Sequence, residues 1–153
     1  MEKLEQTYDA TPERIWELWT TPAGIERWWS PDGFEVTVEE LDLRPGGALV
    51  YTMTAIAPEQ VEFLQGARLP LATTARKTFT AIEAPSRLAY TSAIDFVSDH
   101  APYEHLTEVT LTGFEDGTRV VMTMEPLHDE VWTERLVAGR KNELENLAAA
   151  LAG

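Results

Sequence analysis

Arg140 stands one turn after Leu136 and one turn before Leu144, in a run where Trp132, Leu136, Leu144, Leu147 and Leu151 recur at helical spacing. A cation in such an apolar stripe leans out, snorkels, or meets an anion inside. If it faces inward, its guanidinium would pair with an acidic group of a ligand or with a buried acid such as Glu108 or Glu125. If the helix is rotated, it is exposed and does neither. His105 shares strand parity with Val109 and Leu111, so an inward His105 offers a ligand-binding donor or a general acid or base. The plainer alternative is a histidine at a strand end bonded to backbone. His100 and His128 fall in loops. The three histidines share no metal-ligand spacing, cysteine is absent, and Gly46-Gly47 is followed by no phosphate-cradling motif. No metal, no cofactor and no catalytic residue is therefore assigned.

Carbon-rich side chains gather around these groups. Trp16, Trp19, Trp28 and Trp29 crowd one short stretch. Trp16 and Trp19 read as packing; Trp28 and Trp29 divide between packing and orienting a ligand through an indole N–H, and neighbours on a helix point about 100° apart, so only one of the pair can face a ligand. Met53, Met122 and Met124 suit an adaptable pocket and equally an ordinary core. Tyr51, Phe79, Tyr90 and Phe96, with Trp132 and Leu136 of the terminal run, complete the candidate lining.

The elements that must position these residues follow from periodicity. Glu2 to Asp9 reads as a strand. Thr11 then suits an N-cap and Pro12 the first helical position. Thr21-Pro22 ends that helix and opens a second, to Trp29. From Phe34 the period becomes two, giving strands to Leu43, at Ala48–Ala55, Thr74–Glu83, Arg87–Val97, Glu104–Phe114 and Thr118–Glu125. Pro58 to Gly66 forms a short helical insertion. Glu115-Asp116-Gly117 makes a hairpin. The terminal helix, Asp129 to Ala152, spans about 35 Å at about 1.5 Å per residue. Short turns between consecutive strands imply antiparallel pairing, and helices segregated from strands imply an α+β fold. Only the last helix is long enough to cover one face of such a sheet.

Composition limits the partners. The 153 residues, 44% hydrophobic, suit one domain over 1–153 with a sizeable core. The net charge of -14, from 12 basic and 26 acidic residues, repels nucleic acid and anionic membrane surfaces. A charged N-terminus and no apolar run of about 20 residues imply neither export nor a membrane span, and a cytoplasmic location.

Five segments then stand together: Ala10-Thr11-Pro12-Glu13-Arg14-Ile15-Trp16, Trp28-Trp29-Ser30-Pro31, Asp42-Leu43-Arg44-Pro45-Gly46-Gly47, Ala84-Pro85-Ser86-Arg87-Leu88 and Gly117-Thr118-Arg119-Val120. Their order resembles the homologues of the activator of the heat-shock-protein-90 ATPase, within the START-like (SRPBCC) superfamily. The resemblance implies a helix-grip fold, a curved seven-stranded antiparallel sheet around a long C-terminal helix, with a hydrophobic cavity between. Many relatives carry Gly-Trp where this chain has Gly139-Arg140, and Pro58–Ala72 is longer than the usual connection. The leading expectation is binding of a small apolar or amphipathic molecule, with an acidic group matched to Arg140. The alternatives are a chaperone-associated regulator and a cyclase- or hydrolase-like enzyme using His105 or Tyr103. A homodimer is among the assemblies this admits.

Overall fold

Residues 1–30, 32–95, 97 and 99–152 are described by the computed structural model of the chain. Pro31, Phe96, Ser98 and Gly153 lie outside the described residues, and with them the expectation that Phe96 lines a cavity. After β1 (Glu2–Tyr8), the Thr11 hydroxyl accepts the Arg14 N–H at 3.2 Å and Pro12 opens α1 (Pro12–Thr20). Thr21 repeats the device, accepting the Gly24 N–H at 3.1 Å to start α2 (Pro22–Trp28). Each cap satisfies an N–H that the first helical turn leaves unpaired. Ile15, Leu18, Trp19, Ile25 and Trp28 are buried from these two helices.

The strands β2 (Phe34–Leu41) and β3 (Ala48–Ala55) are joined by the Asp42–Gly47 turn. Gly46 has φ +86°, and a Cβ on Gly47 would sit 2.1 Å from the Asp42 carbonyl oxygen, so the turn needs both glycines. After α3 (Pro58–Gly66) come β4 (Ala72–Glu83), β5 (Arg87–Ile94), β6 (Tyr103–Phe114), β7 (Gly117–Met124) and the terminal helix α4 (Glu130–Ala152). β4 begins two residues before the expected Thr74, where Ala72 and Thr73 pair with Thr54 and Met53. β2 and β5 end at Leu41 and Ile94, short of the expected Leu43 and Val97.

Among the described residues seven strands form one sheet in the order β1-β7-β6-β5-β4-β3-β2, each neighbour antiparallel. Register shifts between Val38 and Glu40 and between Phe79 and Ala81 mark bulges, which bend strands and increase twist. The sheet thereby curls, and α4 lies in its hollow. Tyr8 donates its hydroxyl to the Leu144 carbonyl at 2.8 Å, Arg27 donates to the Ala150 carbonyl at 2.9 Å, and Asn146 donates to the Ser30 carbonyl at 3.1 Å. Leu144, Leu147 and Ala150 are buried against Trp28, Val109, Val120 and Met122 of the same core cluster. Burying a leucine or valine is worth roughly 1.5–3 kcal/mol, so this contact fixes the helix against the sheet.

Candidate functional site

The first half of α4 is held differently from the second. Before Leu144 the buried residue of the helix is Arg140, 6% exposed, while Trp132 and Leu136 are half-buried. The space this leaves between α4 and strands β3 to β6 is a cavity of about 710 Å³. Tyr51, Lys77, Ser92, Ile94, His105, Leu136 and Arg140 contribute to its wall. The volume is within the range of small-molecule sites. Other depressions lie open at the surface, among them one between the β7–α4 connection and the first turns of α4 and another beside Trp28 and Asn146. Neither holds the ionisable groups found in the cavity.

Strand register builds one wall. Lys77 pairs with Ser92, and Ser92 pairs with His105, so three polar side chains form one rung across β4, β5 and β6. The next rung is Phe79, Tyr90, Thr107 and Met124. Side chains on one rung share a face of the sheet. The polar rung thus faces the gap and the rung behind it closes the core, with Phe79, Tyr90, Thr107 and Met124 all buried.

Arg140 crosses from the helix to this wall. Its Nη1 donates to the Tyr90 hydroxyl, and its guanidinium carbon lies 5.6 Å from the centre of the Tyr90 ring. The inward alternative for Arg140 is the one the structure shows, but its acid is neither of those expected. Glu108 pairs with Arg87 at 3.0 Å, and the Glu125 carboxylate accepts the Leu106 N–H at 2.8 Å. The acid beside Arg140 is Glu143, 3.9 Å away and three residues on along α4. Both are held on one helix face by i,i+3 spacing, a shorter route than any cross-sheet pairing. Burial raises the Glu143 pKa, and the charges of Arg140 and Lys77 counter that only in part.

Lys77 is the second cation. Its ammonium donates to the Ser92 hydroxyl at 2.9 Å and lies 5.1 Å from the centre of the Tyr90 ring and 6.0 Å from that of Trp29. Burial, reinforced by the charge of Arg140, brings its pKa down from 10.5 to about 7. The side chain is half-buried, and the part that solvent reaches faces the cavity. Tyr90 moves the other way: burial pushes its phenol up to about 12, so it stays a neutral partner for both cations.

His105 is 1% exposed, and its Nε2 lies 2.5 Å from the Glu125 carbonyl oxygen. A carbonyl oxygen only accepts, so Nε2 carries the proton, and among the described residues buried Nδ1 has no hydrogen-bond partner. Burial lowers the pKa of the ring and keeps it neutral. This is the backbone-bonded alternative, now placed at the cavity wall. Tyr103 is engaged elsewhere: its hydroxyl shares a hydrogen bond with His128 Nδ1 at 2.8 Å and accepts the His128 N–H at 3.2 Å. His128 in turn lies 4.6 Å from His100 and 5.8 Å from Trp132, ring centre to ring centre.

Of the thirteen residues proposed from sequence, Tyr51, His105, Leu136 and Arg140 are in the cavity wall. Trp29 stands behind it, 6.1 Å from Tyr51 and 6.2 Å from Tyr90. Trp28 points into the core and donates its indole N–H to the Leu18 carbonyl at 2.7 Å. Phe79, Tyr90, Met122 and Met124 are buried in the core, Met53 is half-buried against it, and Trp132 packs on His128 outside the wall. The wall also takes Thr73, Thr74, Arg76, Lys77, Ser92 and Asp95, so it is more polar than the expected hydrophobic cavity. Lys77 was within reach of sequence reasoning: it shares parity with Phe79 on its strand, an inward position for a lysine.

Residues 9–152 match the family model for Activator of Hsp90 ATPase homolog 1-like protein. The chain belongs to that family. Solved structures of similar fold include the AHSA1 protein from Silicibacter pomeroyi, with 21% identity, TM-score 0.75 and coverage of 99% of this chain and 96% of that one. The AHSA1-like protein from Aeromonas hydrophila matches at 21% identity and TM-score 0.74, over 99% and 92% of the two chains. A protein from Arthrobacter aurescens matches at 26% identity and TM-score 0.71, over 98% and 84%. No curated protein matches the sequence. The helix-grip fold expected from the resemblance is thus the fold of the family, and among the described residues no helix is long and apolar enough to cross a membrane.

Proposed function

We propose that this member of the Hsp90-activator homologue family binds a small amphipathic molecule bearing one carboxylate in the cavity between α4 and the sheet. The apolar body lies against Ile94, Leu136 and Tyr51, and the carboxylate meets Arg140 and Lys77. The observation that carries this is the sign of charge inside. In a chain of net charge -14, Arg140 and Lys77 both line the cavity and share one aromatic ring, with Glu143 beside Arg140 and Asp95 in the same wall. Glu143 stands 3.9 Å from the guanidinium, beyond hydrogen-bonding distance. A planar guanidinium suits a carboxylate, and a desolvated site strengthens the pairing.

The test is thermal unfolding in the presence of decanoate and 4-phenylbutyrate, each against the alcohol of equal length. Selective binding to the native state stabilises it by RT ln(1 + [L]/Kd) and so raises the melting temperature with the logarithm of ligand concentration above Kd. The acids should stabilise and the alcohols should not, and Arg140→Met should weaken the acids by about tenfold, the worth of one charge-assisted hydrogen bond. Equal response to acid and alcohol would overturn the reading. The family description also suggests a chaperone-associated role; retention of the chaperone on immobilised protein, with a cavity that answers no acid, would put that role in its place.

A further inference from the structure

We propose that Lys77 captures the carbonyl of a small oxo acid as a reversible imine, while Arg140 holds the carboxylate of the same molecule. The proposal rests on the cavity being a carboxylate site, and adds the class of acid it takes.

Among the described residues Lys77 forms no ion pair; its hydrogen bond goes to the neutral Ser92 hydroxyl at 2.9 Å. A lysine kept for structure would be paired with a carboxylate, because an unpaired buried ammonium is costly. Here the cavity surrounds it with a second cation instead. Lys77 Nζ and the Arg140 guanidinium both lie over Tyr90, at 5.1 and 5.6 Å from its ring centre, and both line the cavity. Two cations around one ring give a ligand two anchoring points, and they differ in chemistry. A guanidinium stays charged and binds an anion. An amine next to a fixed cation in a desolvated wall loses its proton and becomes a nucleophile. With its pKa near 7, about half of Lys77 is free amine at neutral pH, against about one in a few thousand for an ordinary lysine. The groups facing it are Arg140 and Glu143 from α4, Tyr90 from β5, Tyr51 from β3 and His105 from β6. Glu143 and Asp95 are the acids nearby, Asp95 in the same cavity wall, and among the described residues neither forms an ion pair with Lys77.

The step balances without an oxidant or reductant. The amine nitrogen attacks the carbonyl carbon and a C–N bond forms. The carbonyl oxygen takes a proton to give a carbinolamine. The C–O bond then breaks and water leaves, carrying away both protons of the amine. The Ser92 hydroxyl, within hydrogen-bond distance of Nζ, is placed to relay one of them.

Lysines are few enough for a clean experiment: Lys3, Lys77 and Lys141 are the three in the chain. Wild-type protein is incubated at pH 7 with 2-oxo-4-phenylbutyrate and sodium cyanoborohydride. Reduction of an imine adds the mass of the probe less one oxygen atom, and peptide mapping locates it. Label on Lys77 should exceed that on Lys141 by more than about tenfold, given the difference in free amine. It should fall by a similar factor for 4-phenyl-2-butanone, which lacks the carboxylate, and for Arg140→Met. Lys77→Met should melt cooperatively and lose the label. Label spread evenly over Lys3, Lys77 and Lys141, or absent from Lys77 in the wild type, would overturn the proposal without any variant. If 4-phenylbutyrate still stabilises the protein in that event, the carboxylate site survives and imine capture alone falls. If neither acid has any effect, both fall.

Discussion

The two halves of α4 face the same sheet and are built for opposite ends. From Leu144 onward the helix presents Leu144, Leu147 and Ala150, all buried, and its carbonyls are fastened by Tyr8 and Arg27. From Trp132 to Arg140 the same helix presents half-buried Trp132 and Leu136 and a buried cation, and the sheet opposite offers Lys77, Ser92 and His105. Trp28 closes the packed end, while Trp29, its neighbour in sequence, backs the open one. One end carries the stability of the contact and the other carries its chemistry. Side chains at the open end need not fill space, so their types are set by what the cavity holds. Substitutions should therefore separate: large losses of stability with little effect on binding at the packed end, and the reverse at the open end.

The sharpest contrast comes from Leu147→Ala. Leu147 has no exposed surface, and a cavity left there has no path to water. We expect a loss of about 2–5 kcal/mol in urea unfolding, with acid binding to the surviving native protein unchanged. Next in size is Arg140→Met, which removes the cation beside Glu143. We expect a loss of about 2 kcal/mol at pH 7, less than for a close buried pair because the two groups are 3.9 Å apart and Lys77 remains nearby. The loss should depend on pH. The Glu143 pKa lies above 4.5 in the native state and at 4.5 when unfolded. Below 4.5 both states hold the proton and the loss of Arg140 leaves no bare charge. As pH rises through the native value, stability falls, and it should fall further in the variant. Equal losses at pH 4 and pH 7 would show that Glu143 is not the partner.

Lys77→Met should shift stability the other way. The native pKa near 7 lies below the unfolded 10.5, so the unfolded chain binds the proton more tightly. That penalty is present in full below about 7 and fades as pH rises through 10.5. A methionine carries no such penalty. We expect the variant to be more stable than wild type by on the order of 1 kcal/mol at pH 6, a value kept low because the cavity admits solvent, and no more stable at pH 10.5. A constant difference between the two pH values would place the ammonium in ordinary solvation and would remove the motive for its nucleophilicity.

The packed end was legible in the sequence and the open end only in part. Leucine spacing along the last helix located Leu144 and Leu147, because a fully buried stripe has to be apolar. The same spacing singled out Arg140, since a cation there violates the pattern. Its partner was sought across the sheet, at Glu108 and Glu125, although Glu143 stands three residues away on the same helix. Local geometry is readable from numbering: i,i+3 spacing places Glu143 beside Arg140 whatever the sheet does. The parity of Lys77 marks it as inward, but nothing in the sequence says that it, Ser92 and Asp95 meet the gap. Which rung of a curved sheet meets the gap depends on where the bulges at Val38–Glu40 and Phe79–Ala81 bend it, and that is a property of the assembled strands. Methionines and aromatic residues are not divided between core and pocket by type, because both use them. Met122, Met124 and Phe79 are core.

The smallest effect on stability should come from Leu136→Ala, and it divides the two ends of the helix most cleanly. Leu136 and Leu147 are the same residue type on the same helix, three turns apart. Truncating a leucine costs a transfer contribution for the lost contacts and a cavity contribution for the space left behind. Leu136 is half-buried and already borders open space, so the second contribution nearly vanishes and the first is reduced. We expect a cost below about 1 kcal/mol, against several for Leu147→Ala. The enlarged cavity should then favour longer acids: the ratio of thermal stabilisation by dodecanoate to that by octanoate should rise relative to wild type. If Leu136→Ala costs as much as Leu147→Ala and leaves chain-length preference unchanged, the first half of α4 is packed like the second, and the distinction between an anchoring end and a binding end does not hold.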